Sequence, residues 1–186
     1  MNQLSHYLDI RLLPDPEFTE QQLMNALFAK LHRAAGKSAP GKIGVSFPDV
    51  SKRLGGRLRL HSSKEILSGL MTDSWIQGMK DYCVISDITP VPAAVKYRTV
   101  RRVQAKSAHN KRRRSIAKGW LTEEEALEKI PDTQQKTLTL PYIQMKSLSN
   151  GNPMRVYIEH GDIQDVAQPG EFNAYGLSAS ATVPWF

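Results

Sequence analysis

One cysteine, Cys83, stands in a chain of 186 residues. A single thiol excludes an intrachain disulfide and any CxxC metal site. Cys83 sits in an apolar, strand-like run, so a buried structural thiol and a reducing, cytoplasmic setting are expected. No apolar run approaches the ~20 residues that cross a bilayer. Met1 to Ile10 lacks the charged start and apolar stretch of a signal peptide. The histidines His6, His32, His61, His109 and His160 show no metal-ligand spacing such as HxxxH. No run of carboxylates resembles a two-metal nuclease site, so neither a metal nor another cofactor is expected. Internal repeats and low-complexity tracts are missing as well. The sharpest absence is local: from Lys96 to Lys118 there is no acidic residue at all.

That same stretch holds ten basic residues: Lys96, Arg98, Arg101, Arg102, Lys106, Lys111, Arg112, Arg113, Arg114 and Lys118. The net charge of the chain is +7, so the remaining residues together sum to −3 (7 minus 10). Positive charge is therefore focused in one segment. Charge runs are usually solvated faces. Here no acid within the run can pair at i,i+4, and the focus fits a polyanion that releases its counterions on binding. The run has no flanking amphipathic face suited to lipid, which argues against a membrane partner.

The length suits one large domain or two small ones. The first ninety residues read strand, helix, strand, strand, helix, strand. His6 to Leu12 alternates, with Leu8, Ile10 and Leu12 on one face. Thr19 and Gln22 form a capping box for a helix that runs to about Ala35, where Gly36 ends it. Its apolar stripe is Leu23, Ala26, Leu27, Leu31 and Ala34. Ile43, Val45 and Phe47 form a second strand and Leu58 and Leu60 a third. Ser62 with Glu65 caps a second helix, and Tyr82 to Ile88 is a fourth strand. The order βαββαβ is that of the ferredoxin-like fold, a frequent RNA platform. The class is α+β, with a ferredoxin-like domain over residues 1–93 and a C-terminal domain over residues 94–186. The second domain carries a basic helix at 108–118, ended by Gly119, and a short helix capped by Thr122 and Glu125. A hairpin between Thr137 and His160 turns at Asn150-Gly151.

Several residues are candidates for chemistry. His32 falls in the last turn of the first helix. The helix terminus favours the imidazolium and partial burial opposes it, a balance that suits a general acid or base. A two-residue turn at Asn150-Gly151 sets Ser147 opposite Met154, Met145 opposite Val156 and Ile143 opposite Ile158. Ser147 and Ser149 then stand where an apolar face opens to a cleft. Arg102 and Gln104 have extended-strand spacing and share a direction. Arginine suits bidentate contact with guanine and glutamine with adenine.

The chain resembles the type I-F CRISPR repeat-processing endoribonuclease, the subunit of the Csy surveillance complex that cuts precursor CRISPR RNA. The stretches that carry the resemblance are HYLDIRLLPDPEF, LMNALFAKLH around His32, IGVSFPD, RVQAKS from Arg102 to Ser107, EEEA and IPDT near Ile130. The Ser147/Ser149 hairpin, YGLS from Tyr175 and the terminal VPWF complete them, in order along essentially the whole chain. The resemblance implies a ferredoxin-like domain followed by a domain whose arginine-rich helix enters the major groove of the repeat hairpin. It implies metal-independent cleavage at the 3′ base of the stem by the ribose 2′-hydroxyl, after which the product stays bound as the guide's 3′ handle. His32 falls on the catalytic histidine, Ser147 on the serine that positions the 2′-hydroxyl, and Tyr175 on an active-site tyrosine. Arg102 and Gln104 fall on the pair that reads the lower stem, with Lys106 and Ser107 completing their stretch. Lys111, Arg112, Arg113, Arg114 and Lys118 fall on the basic helix. Where family members can stack a phenylalanine on the base at the cleavage step this chain has Met154, a departure that keeps apolar contact without an aromatic plane, and the resemblance makes Ser149 a further RNA-binding residue of the hairpin. The implied partners are the repeat hairpin and the other subunits of the surveillance complex, with no homo-oligomer required. A non-catalytic scaffold that binds the RNA hairpin is the rival reading.

Overall fold

The structure is a computed structural model and describes residues 4–105, 107–132 and 138–186. Its elements are mixed α and β, with antiparallel sheets. The chain forms two compact units, Met1–Arg102 with Leu140–Phe186, and Val103–Thr139.

The first unit opens with strand β1 (His6–Leu12), whose alternation buries Leu8, Ile10 and Leu12. Helix α1 (Glu20–Ser38) starts at the expected Thr19–Gln22 capping box. It does not stop at Gly36. The helix continues to Ser38, and the buried Ala39 closes it by donating its N–H to Ala35 O. A glycine inside a helix costs only ~1 kcal/mol relative to alanine, which the following buried turn offsets. His32 consequently lies six residues before the last helical residue instead of in the last turn, beyond the reach of the terminal dipole. The buried stripe is Leu23, Met24, Leu27, Phe28, Leu31 and Ala34, while the expected Ala26 is exposed.

Strands β2 (Gly44–Ser46), β3 (Arg57–Ser62) and β4 (Cys83–Ile85) join β1 in the order β2-β3-β1-β4, with every pairing antiparallel. This is the sheet of the βαββαβ arrangement. Helix α2 (Lys64–Thr72) is capped by Ser63, whose hydroxyl accepts from Ile66 N–H, and not by Ser62. Ser62 is fully buried as the last residue of β3 and donates its hydroxyl to Lys42 O. The expected fourth strand is shorter than Tyr82 to Ile88. Tyr82 closes a 3-10 turn, and a separate two-residue strand β5 (Thr89–Pro90) returns to β1. Cys83 is buried, and burial raises its thiol pKa.

A second sheet runs β7-β8-β6-β9, from β6 (Lys96–Val103), β7 (Tyr142–Lys146), β8 (Pro153–His160) and β9 (Thr182–Trp185). Four of the ten basic residues of the run, Lys96, Arg98, Arg101 and Arg102, therefore lie on a strand, and the small-residue tail supplies an unexpected ninth strand. Ile143, Met145, Val156 and Ile158 join the same buried cluster as Phe28, Phe47 and Leu60.

The hairpin does not form the expected two-residue turn. Ser147 N–H donates to Asn152 O and Gly151 N–H to Ser147 O, both at 2.8 Å, so Leu148 to Gly151 form a four-residue loop. Met145 pairs with Met154 and Ile143 with Val156. A type I′ turn needs positive φ at both central residues. Gly151 has it, at +69°, but no non-glycine among the described residues does. The register slides by two, which is the period of side-chain alternation, so Ile143, Met145 and Ser147 still share a face.

The second unit contains α3 (Ala108–Ala117), capped by Ser107 and ended by Gly119 at φ +69°. It is followed by α4 (Glu123–Lys129), which has the expected Thr122–Glu125 capping box. Among the described residues no helix is long and apolar enough to cross a membrane.

Candidate active site

The site is built on the inner half of α1. His32 is half-buried, and its Nδ1 lies 2.6 Å from Ala174 O. A carbonyl oxygen only accepts, so Nδ1 carries a proton. In the neutral ring that leaves Nε2 with a free lone pair, the form a general base requires. The imidazole also stacks on the Tyr175 ring, with centroids 4.4 Å apart and planes at 13°. Phe28, one turn earlier, runs parallel to the same ring at 6.5 Å. Two contacts to adjacent residues, Ala174 and Tyr175, thus fix both the tautomer and the plane of His32.

The loop that supplies them is rigid for local reasons. Asn173 Oδ1 accepts from Tyr175 N–H (2.9 Å) and Leu177 N–H (3.1 Å). Asn173 N–H donates to Leu177 O, and Gly176 N–H donates to Asn173 O. Gly176 has φ +72°, and a Cβ there would sit 2.5 Å from Val45 Cγ2. Its carbonyl accepts from Val45 N–H, which ties the loop to β2. Only glycine meets both demands.

Ser147 stands at the mouth of the hairpin loop, its hydroxyl 2.9 Å from that of Ser149. A polar bridge sets β7 against α1. Asn25 Oδ1 accepts from Gln144 N–H (3.0 Å), and Gln21 donates to Tyr142 O (2.9 Å) and to Asn25. His32 and Ser147 then line one groove of about 510 Å³, together with Asn25, Arg33 and Lys146. Met154 is half-buried against the core, opposite Met145.

Arg102 lies by the same cluster, its guanidinium 5.3 Å above the Tyr175 ring and its Nε buried without a partner. Gln104 is exposed just beyond the last residue of β6. Lys106 lies outside the described residues. Ser107 acts as a helix cap, its hydroxyl accepting from Asn110 N–H.

The basic run is sorted by its contacts. Lys96 pairs with Asp165 and Arg101 with Glu159. Arg98 donates to Gly161 O and lies over Trp185. Arg112 turns inward, donating to Ile130 O at 2.7 Å and to Asp132 at 2.9 Å, with its side chain 13% exposed. Lys111, Arg113, Arg114 and Lys118 are exposed, and among the described residues none of them has an ion-pair partner. The focus of free positive charge narrows to the outer face of α3.

Sequence reasoning did not find Asn173, Ala174, Phe28 or the Gln21–Asn25 bridge. The Asn-x-x-Gly spacing from Asn173 to Gly176 is a readable turn signal. Nothing local marks Ala174, because a backbone carbonyl carries no residue code.

A family model described as CRISPR-associated protein (Cas_Csy4) matches residues 7–186. The chain is 50% identical over 184 residues to the CRISPR-associated endonuclease Cas6/Csy4 of Escherichia coli (strain UTI89 / UPEC), covering 98% of this chain and 100% of that protein. It is 46% identical over 187 residues to the CRISPR-associated endonuclease Cas6/Csy4 of Pseudomonas aeruginosa (strain UCBPP-PA14), with coverage of 98% and 100%. With matches of that extent, this chain belongs to the Cas_Csy4 family of CRISPR-associated proteins.

Proposed function

We propose that the chain is a sequence- and structure-specific endoribonuclease that binds the hairpin of a CRISPR repeat and cuts precursor CRISPR RNA at the 3′ base of the stem. The names of its relatives support nuclease activity. The observation that carries the mechanism is the locked His32, whose Nδ1–H is bonded to Ala174 O. RNA holds its own nucleophile in the ribose 2′-hydroxyl, so a base and an orienting group are enough to start the reaction. His32 Nε2 takes the proton of the 2′-hydroxyl as its oxygen attacks the adjacent phosphorus. The P–O5′ bond breaks and the leaving 5′-oxygen gains a proton, giving a 2′,3′-cyclic phosphate and a 5′-hydroxyl. Ser147, hydrogen-bonded to Ser149, orients the 2′-hydroxyl. Tyr175 holds the imidazole plane, and Met154 gives apolar contact to the terminal base. Lys111, Arg113, Arg114 and Lys118 grip phosphates, and Arg102 and Gln104 read the lower stem. The product remains bound as the 3′ handle of the guide and is passed to the other subunits of the surveillance complex.

The test is incubation of the purified protein with a repeat hairpin in EDTA. A 2′,3′-cyclic phosphate product is expected, and 2′-deoxyribose at the cleavage step should abolish cutting while binding persists. Cutting of the deoxy substrate would overturn the mechanism. Tight binding with no cutting of the all-ribose hairpin would leave a non-catalytic scaffold.

A further inference from the structure

The basic helix α3 ends in a turn held by local bonds. Gly119, at φ +69°, takes the left-handed position. Its N–H donates to Ile116 O (2.9 Å), and Trp120 N–H donates to Ser115 O (3.0 Å). This pair of bonds is the Schellman closure of a helix, in which the residue after the glycine often packs an apolar side chain back on the last turn. Here that turn offers Arg114 and Ser115, neither of them an apolar partner. Trp120 is left 66% exposed, against 41% for Phe18 and 39% for Phe186. The backbone of Trp120 is thus fixed while its indole is presented to solvent. Lys118 Nζ stands 4.4 Å from the ring centroid. Lys111, Arg114 and Lys118 follow one another at three- and four-residue spacing, and none has an ion-pair partner among the described residues. A row of cations along one face of α3 therefore leads to the ring.

We propose that Trp120 is a stacking platform for an unpaired base in the loop of the repeat hairpin, a base subsite at the end of the basic helix. The inference rests on the hairpin-binding reading above. A large apolar ring held in water beside cations suits a nucleotide, which brings a flat base and an anionic phosphate together. A base inside the stem is stacked on both sides and has no face to give. The deep, narrow major groove of an A-form stem opens to a helix only near an end of the duplex. The lower end belongs to His32, Ser147, Arg102 and Gln104, which leaves the loop end for α3 and Trp120. Every base has a stacking face, so the subsite adds affinity without adding a sequence requirement. The loop lies within the product, so the contact also holds the RNA after the cut.

The experiment measures the affinity of the wild-type chain and of Trp120→Leu for two repeat hairpins, both with 2′-deoxyribose at the cleavage step. One has its ordinary loop and the other has abasic nucleotides in the loop. For the wild type, loss of the loop bases is expected to weaken binding roughly 5- to 150-fold, the usual worth of one stacked base. Trp120→Leu should show the same loss on the ordinary hairpin and be indifferent to removal of the loop bases. Trp120→Phe should recover most of the affinity. The slope of log K against log salt should be the same in all three proteins, because an indole displaces no counterion. Circular dichroism checks that each variant is folded. Equal weakening of both hairpins by Trp120→Leu, or a wild type indifferent to the loop bases, would overturn the subsite. So would a Trp120→Leu variant that binds both hairpins like the wild type, which would leave the exposed ring to a protein partner. Failure of the wild type to bind any repeat hairpin is a different result and would overturn the proposed function instead.

Discussion

In the proposed mechanism His32 carries the most chemistry of any side chain, and its neighbours support that role. An imidazole free to rotate divides its time between tautomers and planes. The bond to Ala174 O and the stack on Tyr175 remove that freedom before substrate arrives. Deleting the ring should therefore cost catalysis and not binding. For His32→Ala, single-turnover cleavage is expected to fall roughly 100- to 10,000-fold, the usual worth of one positioned acid or base. Hairpin affinity should be unchanged in the same preparation, and equal loss of both would make His32 a binding residue. Gly176 is the second critical position. A methyl group there meets Val45 at 2.5 Å and strains a left-handed backbone. Gly176→Ala should lower folding stability by about 2 kcal/mol or more in denaturant titration. It should also slow cleavage in the remaining folded protein, because the Ala174 carbonyl shifts with the loop.

Helix α3 separates two jobs that its sequence, Lys-Arg-Arg-Arg from 111 to 114, presents as one. Arg112 ties the helix to the residues that follow α4, while Arg113 and Arg114 face solvent. Neutralising Arg113 and Arg114 together should weaken all RNA hairpins alike and flatten the salt dependence by ~0.7 to 0.9 in log–log slope per lost phosphate contact, with melting unchanged. Arg112→Ala should instead leave the Ile130 carbonyl unpaired and loosen the packing of α3 on α4, seen as faster amide exchange across Val103–Thr139. If Arg112→Ala changes only the salt slope, the inward geometry does not persist in solution. The β7–β8 hairpin makes a related point. Of its loop residues only Gly151 adopts positive φ, so the loop takes four residues and not the two of a type I′ turn.

Across the first unit as a whole, two histidines lie in environments that disfavour charge. His61 is fully buried beside Arg59, and burial with that cation lowers its pKa to about 3. His160, set against Phe47 and Trp185, is lowered to about 4 by burial and by Arg98. Well above pH 6.5 both are neutral whether the chain is folded or unfolded. Below it the unfolded chain takes up protons that the folded chain refuses, so stability falls as pH falls from 6.5 towards about 4. Well inside that window each histidine contributes a slope of ~1.4 kcal/mol per pH unit. Urea denaturation at a series of pH values should show this loss. The His160→Phe variant should show a shallower one. A profile that is flat from pH 7 to pH 5 would mean that neither histidine is held neutral.

The sequence by itself determined the elements whose causes are local. The alternation of His6 to Leu12, the Thr19–Gln22 and Thr122–Glu125 caps and the stop at Gly119 are each written within a few residues. The basic run was equally legible, because charge is a sum that needs no coordinates. Only the tertiary structure decided what depends on partners far along the chain. Arg98, Arg101 and Arg112 look like further free cations until Gly161, Glu159 and Asp132 arrive to meet them. The register of the hairpin was ambiguous because a slide of two residues leaves the same faces apolar. The proton on Nδ1 of His32 was beyond any local reading. It is fixed by a backbone carbonyl 142 residues away, brought within 2.6 Å by a turn that Asn173 and Gly176 hold against β2. Side-chain identity is local information, whereas the protonation, pairing and orientation that make a side chain reactive are set by atoms that folding brings from elsewhere.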